Sequence, residues 1–295
     1  MKKLCVSLLF LAFLFSVAAN ADRGMIPHDP LAQIFEPNQR AIIAWNGNEE
    51  ILLLSTDMRA SKSTRVLEVL PCPSEPKVQK GDIQTFDRAN RVIRAHLPRH
   101  GLSRRTKGGG KMAGFDAPAG KITFHEKIGA HDVSVANVLS AERFVEWVEG
   151  ALKKEGVKNP TIPNWAKTTI RQYIDDEYKW FVFDSIEIGP TIKTLEPLQY
   201  RFKANRLFYP LRITKVQGPT TVDMIVLTPG LLTKFPALPI NRVRLGHDPI
   251  VISRRELEYI DKDMADLLGK AAGMKLRIWK IGDNGQGFNQ DLVAH

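Results

Sequence analysis

Cys72 stands between Pro71 and Pro73 in the stretch EVLPCPSEPKV, residues 68–78, and poses the question of nucleophilic chemistry. A reactive thiol needs a neighbouring cation or a helix N-terminus to lower its pKa, and a base within reach. The local sequence offers Pro71, Pro73 and Ser74 instead. The apolar run Val66–Leu70 leads straight into it. The residue reads as a small buried hydrophobe, and the prolines as strand terminators.

Other chemistries are sought in the remaining polar residues. His96 and His100 have helical spacing, but Pro98 between them breaks the helix that would align them. His125 and His131 flank Gly129-Ala130 and would face each other across a hairpin, yet two imidazoles make a poor metal site, so both read as surface histidines. In DKDMADLLGK, Asp261 and Asp263 are followed by Ala265 where a third calcium ligand belongs. DNGQGFNQD, from Asp283, lacks a bidentate glutamate and reads as a turn. Gly110-Lys111 lacks the earlier glycine and the following Ser or Thr of a phosphate loop. No G-x-S-x-G elbow is present. Among 32 acidic residues any carboxylate pair is easy to invent, and Asp175-Asp176-Glu177 reads as a solvated helix end. Trp45, Trp147, Trp165 and Trp180 sit in apolar elements and read as core rather than as a sugar platform. No catalytic, cofactor-binding or metal-ligating residue is assigned, and no cofactor is implied.

The first residues read as a secretory signal. Lys2 and Lys3 precede a short apolar stretch, Leu4–Val17, and Ala19-Asn20-Ala21 fits the small-residue cleavage site. Cleavage before Asp22 leaves a soluble mature chain with Cys72 as its single cysteine, so stability rests on packing rather than on disulfides. The net charge is +10; losing Lys2 and Lys3 leaves 40 basic against 32 acidic residues. An exported basic chain meets anionic surfaces rather than nucleic acid. The cations concentrate in RHGLSRRTKGGGK, where Arg99, Arg104, Arg105, Lys107 and Lys111 stand with no acidic residue. This segment reads as an exposed loop and an anion-binding patch for an envelope polymer or lipid surface.

The elements around these residues follow from periodicity. AIIAWNGNEEILLLSTD reads as a β-hairpin over 41–56 with its turn at Asn46-Gly47-Asn48. Residues 64–70 form a strand ending in an extended edge or exit segment. GDIQTFDRANRVIRAHL reads as a helix capped by Asp82, with Ile83, Phe86, Ile93 and Leu97 inward. KITFHEKI and HDVSVANV are strands, followed by helices from Ser140 and over Asn164–Asp176. KWFVFDSIEI, LQYRFKA, RLFYPLRITKV and VDMIVLTP read as strands, a helix starts at the Ser253–Glu256 capping box, and MKLRIWKI closes as a strand. The order predicts an α+β fold, mainly antiparallel, with three to four packing helices. The parts are a signal (1–21), a β-rich part with one helix (22–98), the basic loop (99–120), an α+β part of the same domain (121–230) and a C-terminal segment (231–295).

DRGMIP (22–27), AIIAWNGNEEILLLSTD (41–57), VLEVLPCPSEP (66–76), EKIGAHDVSVANVLSAERFVEWVE (126–149), YKWFVFDSIEI (178–188) and LEPLQYRFKANRLFYPLRIT (195–214) together resemble the exported prokaryotic proteins of domain-of-unknown-function family 2330. The resemblance covers nearly all of the mature chain and implies export, but no activity and no catalytic residues. Members often carry an aliphatic residue where Cys72 stands, which favours filler there. Some distant members carry cysteines near the mature N-terminus, which this chain lacks. The expectation is an exported envelope protein acting as a non-catalytic binding or scaffold module, the alternative being a cofactor-free hydrolase.

Overall fold

A computed structural model of the chain describes residues 24–97, 121–154, 157, 160–214, 220–232, 235, 243–245, 248–269, 274–282 and 288–295. The elements are, in order, β1 (Ile26–Pro27), β2 (Ile34–Trp45), β3 (Glu49–Ala60), β4 (Thr64–Cys72), β5 (Lys77–Lys80) and α1 (Gln84–His96). Then come β6 (Lys121–Ile128), β7 (His131–Asn137), α2 (Ala141–Lys154), α3 (Asn164–Asp175), β8 (Trp180–Ile188), β9 (Lys193–Thr194), β10 (Leu198–Lys203) and β11 (Leu207–Tyr209). The remainder are β12 (Thr221–Thr228), β13 (Val243–Leu245), β14 (Ile250–Ile252), α4 (Arg254–Ile260), α5 (Lys262–Leu268), β15 (Met274–Gly282) and β16 (Leu292–Ala294).

Two sheets dominate. One has five strands in the order β1-β4-β8-β7-β6, and the other nine, with β13-β15-β12-β2-β3-β10-β5 as its path and β9 and β14 added on β3 and β15. Pairing is antiparallel except between β12 and β2. The α+β expectation holds at this level, with five helices among the described residues rather than three to four.

Strand alternation explains the layering. Ala41 and Ile43 face a core shared with Leu70, Val133 and Val182 of the five-stranded sheet. Ile42 and Ala44 face the opposite way, onto α1, α4 and α5. The outer face of the smaller sheet, with Val69, Phe181 and Phe183, packs on α2 and α3 through Phe144, Val148 and Ile170. The order is therefore helices, sheet, sheet, helices. A central strand such as β2 is apolar on both faces, which is why AIIA reads as a continuous run.

Local chemistry sets the element ends. In the β2–β3 turn, Asn46 Oδ1 accepts from the amides of Asn48 and Glu49, both at 2.9 Å, and Gly47 takes φ +100°. Ser253 and Glu256 form the predicted capping box. The helix it opens ends at Ile260. Asp261 is extended there and accepts from the Met264 amide, so it closes α4 and caps α5, dividing the single helix expected.

Other expectations change. β4 continues past Leu70 to Cys72, with Pro71 opposite Phe181. Its second neighbour, β1, pairs only at Val66 and Leu67, so at Pro71 one flank has no ladder to break. KVQK forms β5 beside β10, a strand hidden behind the prolines. Among the described residues of RLFYPLRITKV, only Leu207–Tyr209 form a strand, because Pro210 stops the ladder. Ile83 is exposed, while Phe86 and Ile93 are buried as expected. The signal sequence and the basic loop lie outside the described residues.

Candidate functional site

A groove of about 890 Å³ opens on the helix side of the nine-stranded sheet, between the start of α1 and the segment after β8. Its floor is polar. Arg40 on β2, Asp57 on β3 and Thr194 on β9 lie side by side, because Thr194 is registered with Asp57. Arg40 Nη2 lies 3.3 Å from Asp57 Oδ1, and Thr194 Oγ1 donates to the same oxygen at 2.6 Å. The Arg40 guanidinium also sits 5.6 Å from the centre of the Phe86 ring. Ile83, Phe86, Pro190 and Ile192 give the walls an apolar character, and Ile192 is 57% exposed.

Two elements fix these walls. Arg88 Nη1 donates to Asp82 at 2.8 Å, and Asp82 accepts from the Gln84 amide, which anchors the first turn of α1. On the other side β8 ends at Gly189-Pro190, where proline cannot extend a ladder. The chain turns back, and the Leu195 amide donates to Thr56 O at 3.0 Å.

Behind Leu195 and Glu196 lies a small cavity of about 10 Å³, room for one water molecule, lined also by Glu68, His131, Asp184 and Tyr200. His131 is 3% exposed. Its Nδ1 lies 2.5 Å from Asp184 Oδ2, and its Nε2 lies 2.9 Å from Glu196 O. A carbonyl only accepts, so Nε2 carries a proton, and in the protonated ring Nδ1 donates the second one to the Asp184 carboxylate. Burial alone would lower the imidazole pKa; the Asp184 charge and the two hydrogen bonds raise it above its ordinary value.

The surface reading holds for His125, which is exposed, and fails for His131, which is buried; the hairpin forms, but it does not set the two rings face to face. His131 is registered with Ile128 and His125 with Ser134, so the rings are not opposite each other. The buried position was legible in the strand period. His131-Val133-Val135, Val66-Glu68-Leu70 and Val182-Asp184-Ile186 each place a polar residue on an apolar face. His125 Nδ1 is 2.8 Å from Ser134 Oγ and 3.6 Å from Asp132 Oδ1. Both contacts use one ring nitrogen, whereas a Ser-His-Asp relay needs one partner on each.

The remaining sequence candidates are placed as follows. Cys72 is buried at 1% exposure in the core between the sheets, and burial with the nearby Glu50 carboxyl pushes its thiol pKa up. Trp45, Trp147, Trp165 and Trp180 pack against the cores at partial burial. Asp176 pairs with Arg212, while Asp175 and Glu177 are exposed. Asp261 and Asp263 serve α5, the first as its cap and the second in its first turn. Among the described residues no cluster of three or more His, Cys, Asp or Glu is arranged to hold a metal. No described helix is long and apolar enough to cross a membrane. Arg99, Arg104, Arg105, Lys107 and Lys111 lie outside the described residues.

A family model described as uncharacterized protein conserved in bacteria (DUF2330) matches residues 17–230. The chain belongs to this family. The DUF2330 match contains the whole groove and the His131 cluster. It ends before α4, α5 and β15, although β15 pairs along the full length of β12 inside it. No curated protein matches the chain. Among solved structures, baculovirus P35 is similar at 10% identity and a TM-score of 0.42, over 89% of this chain and 97% of that one. A mutated baculovirus P35 after caspase cleavage gives 10% identity and a TM-score of 0.40, over 88% and 99%. At these scores the likeness carries no argument about function.

Proposed function

We propose that this DUF2330 protein is an exported envelope protein that acts as a non-catalytic binding module and takes an extended, peptide-like ligand in the groove. The observation that carries the reading is the division of the groove into a polar floor and apolar walls. Arg40, Asp57 and Thr194 offer donors and acceptors suited to amide groups, while Ile83, Phe86 and Ile192 suit apolar side chains. The volume falls at the upper end of ordinary ligand sites. Charge argues against a polyanion here: Arg40 and Lys193 stand against Asp57, Asp87, Glu187 and Glu196. Arg65 and Lys80, paired with Glu187 and Glu196, bring the groove near neutrality. The His131–Asp184 pair, the most catalytic-looking group, has beside it space for one water molecule and none for a substrate.

A random library of nine-residue peptides displayed on phage and selected on the chain from Asp22 tests the ligand site. Selected peptides should lose about tenfold or more in affinity for Ile192→Glu, since a buried isoleucine contributes roughly 1.5–3 kcal/mol. Failure to enrich any peptide, or equal binding to that variant, would overturn the reading. Export is tested separately by mass spectrometry of the processed protein, which should begin at Asp22; retention of Met1 would refute it.

A further inference from the structure

The groove and the buried histidine share a wall: Leu195 and Glu196 border both spaces. The backbone of this wall is tied to β3 at Leu195 and to β7 at Glu196, where His131 Nε2 donates to Glu196 O. The Glu196 side chain also seats on the β6–β7 turn: a Cβ built on Gly129 would lie 2.0 Å from Glu196 Oε2. Glu196 Oε1 meets Lys80 Nζ at 3.1 Å.

We propose that the protonated His131 latches this wall, so that the groove is firm while the imidazolium persists and loosens when it loses a proton. The regulation rests on the groove being the ligand site; the latch itself does not. The geometry requires a coupling of this kind. Each ring nitrogen faces an oxygen acceptor, so loss of either proton leaves a lone pair against an acceptor. The Nδ1 proton is held by the Asp184 carboxylate, and the Nε2 proton by an uncharged carbonyl. The latter therefore leaves, and the bond to the wall is lost with it.

The groups facing His131 favour the latched form. Asp184 comes from β8, Glu68 from β4 and Glu196 from the wall, all acidic. Asp132 adjoins it on β7, and its amide donates to Asp184 Oδ1 at 3.2 Å. Tyr200 of β10 closes the cavity from the opposite sheet, and Lys80 of β5 is paired with Glu196. The closed wall binds the proton more tightly than the open one does, so its stability is full below the open-state pKa and falls as pH rises through the closed-state value, which the Asp184 charge and the two hydrogen bonds hold above the ordinary histidine range.

The test is hydrogen exchange of the Lys193–Glu196 amides in the chain from Asp22 between pH 5 and 10, corrected for intrinsic exchange, with an NMR titration of the His131 ring. Wall opening should increase about tenfold per pH unit between the open-state and closed-state pKa values, with a midpoint matching the ring titration. His131→Gln should abolish the dependence. Flat wild-type protection, or a midpoint that does not track the ring, overturns the latch even where the variant fails to fold. A peptide selected at pH 6 should bind more weakly as pH rises over the same range. If wall opening follows pH but no peptide binds at any pH, the groove reading fails and the latch stands.

Discussion

Arg212 Nε donates to Asp291 Oδ2 at 2.8 Å, joining residues 79 positions apart. The Arg212 backbone amide and the Tyr173 hydroxyl donate to the other oxygen at 2.9 and 2.6 Å. The guanidinium lies 4.3 Å from the Tyr173 ring centre and reaches Asp176 with Nη1. One carboxylate thus fastens the segment before β16 to α3. Burial pushes the Asp291 pKa up against the pull of Arg212, so the charge persists only while its partners remain. Asp291→Ala leaves a half-buried Arg212 paired only with the exposed Asp176, strips the Tyr173 hydroxyl of its acceptor, and should cost about 1.5–3 kcal/mol in urea unfolding. A loss below about 1 kcal/mol would show the contact to be solvated.

Glu50 is wholly buried, with Oε2 accepting from the Phe208 amide at 2.8 Å and Oε1 accepting no hydrogen bond. Burial pushes its carboxyl pKa well above the ordinary 4.5. A raised folded-state pKa gives stability that is full below pH 4.5 and is lost as pH rises through the folded value. Glu50→Gln keeps the acceptor and removes the titration. It should match or exceed wild-type stability at pH 8 and show a flatter pH profile. A variant less stable than wild type at pH 8 would mean that the ionised carboxylate is the favoured form.

Cys72 labels with a thiol reagent only through opening of the core. Native protein should react roughly 10³-fold or more slowly than unfolded protein, because unfolding equilibria of small domains span about 10³–10⁸. Fast native labelling at neutral pH would indicate a thiolate and revive the nucleophile.

Gly129 holds φ +62° at the β6–β7 turn, a region that costs an alanine about 1–2 kcal/mol. Gly129→Ala adds a clash with Glu196 to that strain. The substitution should be partly rescued in a Glu196→Ala background, and a double-mutant cycle measures the coupling. Additive effects would show that the wall does not press on this turn.

Local chemistry was legible because it acts over a few residues. The Asn46-Gly47 turn, the Ser253–Glu256 capping box and the amphipathic stripe Phe144-Val148-Leu152 need no distant partner to declare themselves. Cys72 was also legible, since its strand and its prolines already described a buried, terminating segment. Long-range pairing was not. β5 was missed because four residues, KVQK, become a strand only when β10 supplies the ladder. The Ser253 helix divided because Asp261 gains more as a cap than as a helical residue, a choice that depends on how α4 and α5 pack on Ile252 and Leu276.

The candidate site depended on tertiary structure most of all. By period two, His131, Glu68 and Asp184 each belong on an apolar face, and that much is written in the sequence. Which acceptors meet the ring is decided by register. β7 and β8 must align Val133 with Asp184, and the chain after β9 must return its Glu196 carbonyl to Nε2. The groove likewise exists only because α1 and the return after Gly189-Pro190 stop short of one another over β2 and β3. The sequence by itself determined the family, the strand and helix vocabulary and the buried thiol. Only the packing of two sheets decided where polar groups meet, because side chains from separate strands become neighbours through hydrogen-bonded register that short-range spacing does not encode.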